Sequence, residues 1–244
     1  MARLVAVLPF RSNLLKARYT AGVSNTNDAY GRLTRRLRKL GTPARAAQEK
    51  AYQKSTWRHW GVALPQMDVA IREIAKDLPP TDCLSLAVQL WREPVWDLKI
   101  VAARLLARAS VPPTERPWRF VQARMPDLDG WAVADSLASV GSRCLLADPR
   151  RLDVAERWVR SPHLWTRRAS LVFTLPWTRD DRNPERMLGW AAHLADDPQW
   201  FIQKAIGWWL RELSKRDPRR VRRFLDDHGA TLKRVARHEA EKYL

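Results

Sequence analysis

The chain has 244 residues, of which 45% are hydrophobic and 29% charged, a globular composition long enough for one large domain or two small ones. Two cysteines, Cys83 and Cys144, exclude a disulfide framework and a cysteine-based zinc site and fit a reduced, cytoplasmic setting, and no apolar run approaches the roughly 20 residues that span a bilayer. Lys and Arg number 44 against 26 Asp and Glu, a formal charge of +18, and such a field suits a polyanion, nucleic acid first.

The charge is loaded at the front, with 13 bases and 2 acids in residues 1–60. Residues 1–27 hold no acid and carry Arg3, Arg11, Lys16 and Arg18, the pattern of a transit peptide or of a disordered basic arm. No convincing cleavage site follows Pro9, so an arm touching the phosphate backbone is preferred, with one domain over 28–244. A second basic cluster comprises Arg219, Arg220, Arg222 and Arg223. Arg outnumbers Lys 34 to 10, which a GC-rich coding bias explains as well as phosphate binding does.

From residue 42 onward the chain is punctuated by a side-chain cap followed by proline: Thr42-Pro43, Asp148-Pro149, Ser161-Pro162, Asn183-Pro184, Asp197-Pro198 and Asp217-Pro218. A cap oxygen accepts an orphan N–H, and proline at the first helical position forgoes a donor that would be unpaired anyway. Each pair therefore predicts a helix start. Pro65, Pro94 and Pro117 predict three more, and Thr81 is expected to cap a helix running through Trp91. Between these marks apolar residues recur at helical spacing, as in Leu152, Ala155 and Val159 or Ile202, Ile206 and Leu210. No period-2 alternation is sustained, and the single Asp129-Gly130 pair is flanked by helical patterns rather than strands.

Pro126, Pro162 and Pro198 lie 36 residues apart, while Pro149, Pro184 and Pro218 lie 35 and 34 apart. Two interleaved series at a common period predict a two-helix unit of about 35 residues, hence an all-α solenoid with equivalent helices lining one face. No Gly-rich phosphate loop, nucleophile elbow or histidine pair at ligand spacing is present, so neither a metal nor a cofactor is expected.

Thirteen of the 22 aromatic residues are tryptophan. Most helical tryptophans are core, and Trp91, Trp158 and Trp190 fit that reading. Trp131 lies one turn before Asp135, while Arg168 and Trp208 belong to the next two units. Three equivalent helices would thus bring two indoles, a carboxylate and a guanidinium to one face. Taken alone this is only suggestive, because Asp135 could pair with any neighbouring arginine and Arg167-Arg168 could be a solvated edge.

At these positions the sequence resembles the AlkD-type DNA alkylation repair glycosylases, built of HEAT-like repeats. The resemblance rests on Gln203-Lys204-Ala205-Ile206-Gly207-Trp208-Trp209-Leu210-Arg211-Glu212, on Leu164-Trp165-Thr166-Arg167-Arg168-Ala169, on Leu90-Trp91 with Pro94, and on Trp131-x-x-x-Asp135. It covers about Asp28 to Leu244. It implies a curved solenoid with a basic concave face, acting as a monomer on double-stranded DNA that contains alkylated purines. The active-site residues it implies are Trp131, Asp135, Arg168 and Trp208, with Tyr52, Lys54, Arg167, Lys204 and Arg211 on the DNA.

The implied reaction is hydrolysis of the N-glycosidic bond of a cationic N3- or N7-alkylated purine. Asp135 would stabilise an oxocarbenium-like transition state, the indoles would pack on the sugar, and Arg168 would clamp a phosphate. One departure stands out: after Gly61-Val62-Ala63-Leu64-Pro65 the family pattern continues with basic residues, whereas Met67 and Asp68 stand here. Two other readings fit the composition. One is a non-catalytic protein binding branched or bent DNA, and the other is a protein–protein adaptor, a common use of helical repeats.

Overall fold

A computed structural model describes residues 10–179 and 182–244, with side chains from Asn25 onward. Residues 1–9 of the expected basic arm lie outside the described residues, and the domain start proposed at Asp28 falls inside the first helix. Thirteen helices run in chain order among the described residues: α1 (Phe10–Leu40), α2 (Pro43–Gln53), α3 (Leu64–Ala75), α4 (Pro80–Arg92), α5 (Trp96–Leu106), α6 (Glu115–Arg124), α7 (Trp131–Ala147), α8 (Leu152–Trp158), α9 (Leu164–Val172), α10 (Glu185–His193), α11 (Trp200–Ser214), α12 (Pro218–His228) and α13 (Arg234–Ala240).

They form two rows. In the inner row α3, α5, α7, α9, α11 and α13 each contact the next. Behind them α4 packs on α5, α6 on α7, α8 and α10 on α9, and α12 on α11, while α1 closes the end against α3 and α4. The result is an all-α solenoid. Its two proline series sort by row: Pro126, Pro162 and Pro198 precede the inner helices α7, α9 and α11, and Pro149, Pro184 and Pro218 precede or open the outer α8, α10 and α12.

The capping chemistry is present at all six pairs, in two geometries. Thr42 and Asp217 accept the N–H of Arg45 and Arg220, three residues on, with proline opening the helix. Asp148, Ser161, Asn183 and Asp197 instead accept the N–H two residues on, so that proline sits in a tight side-chain turn just ahead of the helix. Three of the remaining starts differ from expectation. Thr81 lies inside the first turn of α4, whose cap position is Pro79. Pro94 stands two residues before α5, where its carbonyl accepts the N–H of Arg58. Pro117 is the third residue of α6, which begins after Thr114.

Both rows bury their facing sides. Trp91, Trp209 and Phe173 are among the largest fully enclosed side chains, each contributing roughly 2–3 kcal/mol by burial. Trp158 and Trp190 are core as expected, and Met67 is fully enclosed too.

Gly141 sets the spacing of α7 and α9. A Cβ at this position would overlap the ring of Phe173 at the end of α9, and the neighbouring Ser142 hydroxyl donates to the Phe173 carbonyl at 2.8 Å. Gly141→Ala is therefore expected to lower stability by about 2–3 kcal/mol through overpacking, read as a shifted denaturant midpoint. An unchanged midpoint would show that the two helices can separate freely.

Candidate active site

Three inner helices place the candidate residues. Gly130, in an extended conformation, starts α7, so Trp131 stands in its first turn and Asp135 one turn on. Arg168 is on α9 and Trp208 on α11. All four line one cavity of about 410 Å³, together with Tyr52, Trp200, Phe201, Lys204 and Arg211. A second cavity of about 620 Å³ adjoins it between α2, α5 and α7, and Tyr52, Trp131 and Asp135 line both. The carboxylate thus stands where the two spaces meet.

Arg168 is enclosed, with 5% of its side chain exposed against 27% for Asp135. Its Nη1 donates to Asp135 Oδ1 and its Nη2 to Oδ2, at 3.2 Å for the second bond. The pair is bidentate, which fixes the carboxylate plane. Each carboxylate oxygen keeps lone-pair capacity beyond the arginine, available to a ligand or water in the cavity. Two of the guanidinium's five N–H groups are thus engaged on Asp135, and its enclosed Nε has no hydrogen-bond partner among the described residues.

Tyr52 reaches the site from α2, a helix with no buried residue. Its ring meets Trp131 edge-on, with centroids 6.1 Å apart, and it is 71% exposed. What holds α2 in place are its flanks. Asp129 Oδ2 accepts the Ser55 hydroxyl at 2.8 Å and the Thr56 N–H at 3.0 Å, tying the end of α2 to the entry of α7. The Asp97 carboxylate, fully enclosed, accepts the N–H groups of Trp60 and Val62 at 2.7 and 2.9 Å.

Two expected DNA contacts lie outside the cavity. Lys54 ends α2 in the left-handed conformation (φ 51°) with its side chain exposed. Arg167 faces the next repeat: its Nε pairs with Asp197 at 2.9 Å and its Nη1 donates to the carbonyls of Ser161 and Pro162. This arginine is a structural tie between units rather than a free cation.

Every base lining the two cavities has an acid. Arg45 pairs with Glu49, Arg104 with Asp68, Arg168 with Asp135, Lys204 with Glu239, and Arg211 with both Glu239 and Glu212. Asp68 thus neutralises Arg104. Lys50, Lys54 and Arg58, on α2 and the loop after it, are exposed and have no acid partner among the described ion pairs.

Sequence reasoning missed Trp200 and Phe201. Trp200 is 53% exposed and meets Phe201 edge-on, and Phe201 packs on Trp165 at 4.9 Å. Their signal was present in the spacing of Trp200, Lys204 and Trp208, successive turns of one helix face. Trp96, Ile100 and Arg104 repeat that spacing along the floor of the larger cavity.

His59 stacks on Trp96 at 4.9 Å, and both its ring nitrogens are enclosed without a hydrogen-bond partner. Desolvation pushes its pKa below the usual histidine value, against the pull of Asp97. The folded state thus binds a proton less readily than the unfolded one. The resulting stability is complete above the unfolded pKa of about 6.5 and is lost as pH falls from there towards the folded value. His59→Phe, which keeps the stack, is expected to flatten the fall in melting temperature below pH 6.5. An equal fall in both proteins would place the acid sensitivity elsewhere.

Fold and site together define a helical solenoid whose inner row walls an aromatic pocket around an anchored carboxylate. A family model described as DNA alkylation repair enzyme matches residues 33–244. The chain belongs to that family, and its role is in DNA repair.

Among solved structures it is similar to a predicted DNA alkylation repair enzyme from Enterococcus faecalis, at 22% identity and a TM-score of 0.70 over 84% of this chain and 97% of that one. It is also similar to AlkD2 from Streptococcus mutans, at 20% identity and a TM-score of 0.60 over 75% and 90%. No curated protein sequence matches. Among the described residues no helix is long and apolar enough to cross a membrane, and no group of three or more His, Cys, Asp or Glu could hold a metal ion.

Proposed function

We propose that the protein is a DNA glycosylase that hydrolyses the N-glycosidic bond of cationic N3- or N7-alkylated purines in duplex DNA. The observation that carries this reading is Asp135: a carboxylate held on both oxygens by Arg168, opening into a cavity walled by Trp131, Trp208 and Tyr52.

A purine alkylated at N3 or N7 already bears a positive charge. When the bond from C1′ to the purine nitrogen breaks, both electrons go to the base, which leaves neutral and needs no proton. The positive charge passes to the deoxyribose. Asp135, fixed in advance, stabilises that charge without reorganising, the kind of electrostatic effect that outweighs most others in catalysis. The indoles of Trp131 and Trp208 offer π faces to the same cation. Water adds to C1′ and releases one proton, and Asp135 is placed to orient that water.

In this scheme Arg168 is a positioning residue, since it acts through the carboxylate. Selectivity comes from the leaving group: a neutral base departs as an anion and is a poor leaving group, so undamaged DNA survives. Affinity for the backbone comes from phosphate contacts that ignore sequence, with Lys54, Lys204 and Arg211 as the candidates. The test is chromatography of bases released from methylated duplex DNA. Free methylpurine is expected from that substrate and none from unmethylated DNA. Intact methylated DNA after prolonged incubation with folded protein would refute the reading.

A further inference from the structure

The smaller cavity raises an electrostatic difficulty for a cationic substrate. Four charged side chains line it, the acid Asp135 and the bases Arg168, Lys204 and Arg211. Asp135 and Arg168 cancel, which leaves Lys204 and Arg211, the second partly offset by Glu212 at 3.5 Å, facing the space where an alkylpurine cation and then a sugar cation would sit. Like charges across a few ångströms of partly dry space repel strongly enough to weaken binding and slow the reaction.

The C-terminal helix α13 answers this. Glu239 does not itself line the cavity, but it stands against both bases: its Oε1 accepts from Lys204 Nζ at 2.7 Å and its Oε2 from Arg211 Nη1. Its side chain is 17% exposed, so the ion pairs are only partly screened. Hydrogen bonding from Lys204 is the main cause holding its pKa below the usual carboxylate value, so it is ionised at neutral pH.

Two further features bring Glu239 to this place. Gly207 on α11 lets α13 approach closely, for a Cβ there would lie 2.8 Å from both the Ala236 carbonyl and Glu239 Cβ. Gln203, fully enclosed, accepts the Lys233 N–H at 3.0 Å, fixing the start of α13, and donates to the carbonyls of Ala195 and Asp197.

We infer that Glu239 is a positioning residue that sets the charge of the pocket. By holding Lys204 and Arg211 it offsets part of their field, so that a cationic alkylpurine is accepted and the developing sugar cation is not opposed. The inference rests on the glycosylase reading for its second half. It gives the carboxylate opposite effects on two quantities: it weakens general affinity for DNA and speeds release of a cationic base.

Glu239→Gln removes the charge at nearly constant volume. The variant is expected to bind unmodified duplex DNA about eightfold tighter at 0.1 M salt, with a salt slope steeper by about 0.9, the effect of one additional cation free for phosphate. At saturating protein, release of methylpurine from methylated duplex is expected to slow by about tenfold. Glu239→Asp, which keeps the charge, should stay within about threefold of the parent in both.

Unchanged base release by folded Glu239→Gln would overturn the inference, as would looser DNA binding accompanied by a lower melting temperature, since both would mark Glu239 as mere packing. Should Glu239→Gln fail to fold, Glu239→Asp decides: a tenfold loss with the charge retained would overturn it. If the parent protein releases no methylpurine, the glycosylase reading falls. The charge-setting role is then judged on binding alone, with tighter binding by Glu239→Gln sustaining it and equal binding overturning it.

Discussion

Asp135→Asn is expected to bind methylated duplex DNA within about threefold of the parent while releasing base roughly 10²–10³ times more slowly, the usual loss when one preorganised electrostatic partner of a transition state is removed. The substitution is nearly isosteric, so Trp131, Trp208 and Tyr52 keep their places around the cavity. The charge changes, and with it the partnership with Arg168. Asn offers one acceptor oxygen where the carboxylate offers two, so one of the two guanidinium bonds is lost.

The enclosed Arg168 then carries a charge that nothing beside it balances, and the cavity gains a net positive charge at the point where the sugar becomes cationic. Single-turnover release from methylated duplex measures the chemical step, and a parallel binding titration separates it from affinity. Release at the parent rate would remove Asp135 from the mechanism.

The fold was legible because helix punctuation is local chemistry. A capping oxygen and the proline after it act within three residues of each other, so six cap–proline pairs marked helix starts or the turns just before them, and their period exposed the repeat. Thr81 misled for the same reason: a hydroxyl early in a helix reads like a cap, but Pro79 and Pro80 already close the turn ahead of it. That Trp131, Asp135, Arg168 and Trp208 share one face was legible from their spacing, and the structure brings all four to one cavity.

What the spacing could not supply was which charge meets which. Asp135 and Arg168 lie 33 residues apart, and Lys204 and Glu239 lie 35 apart. Such separations are close to one repeat, so equivalent faces of adjacent helices meet, yet many pairings satisfy them. Arg167 and Arg168 differ by a single position, about 100° around a helix. One turns to Asp197 and the loop before α9, and the other into the cavity. Only the rotational phase of α9 against α7 decides between them, and Gly141 fixes part of that contact.

Asp97→Ala is expected to lower stability by about 3–5 kcal/mol and the melting temperature by roughly 10 °C, the largest loss of any single polar side chain in the site's support. Asp97 is fully enclosed in the first turn of α5, where the helix dipole favours an anion, and its two oxygens take the N–H groups of Trp60 and Val62. Alanine leaves both donors without their acceptor.

The turn they belong to contains Gly61, at φ 74° and pressed against the backbone of Thr42 and Ala46, so it cannot readily rearrange to find other partners. That turn also accepts the Thr42 N–H on the Gly61 carbonyl, at 3.2 Å, which ties down the start of α2. Because α2 buries no residue of its own, loosening this anchor should free Tyr52 from Trp131 before the solenoid core is disturbed.

The expected signature is therefore double: an early proteolytic cut within α2 under native conditions, together with the lower melting temperature. Asp97→Asn, which retains one acceptor, should lose about half as much. A parent-like melt and an uncut α2 in Asp97→Ala would mean that the Ser55 and Thr56 contacts to Asp129 hold the helix alone.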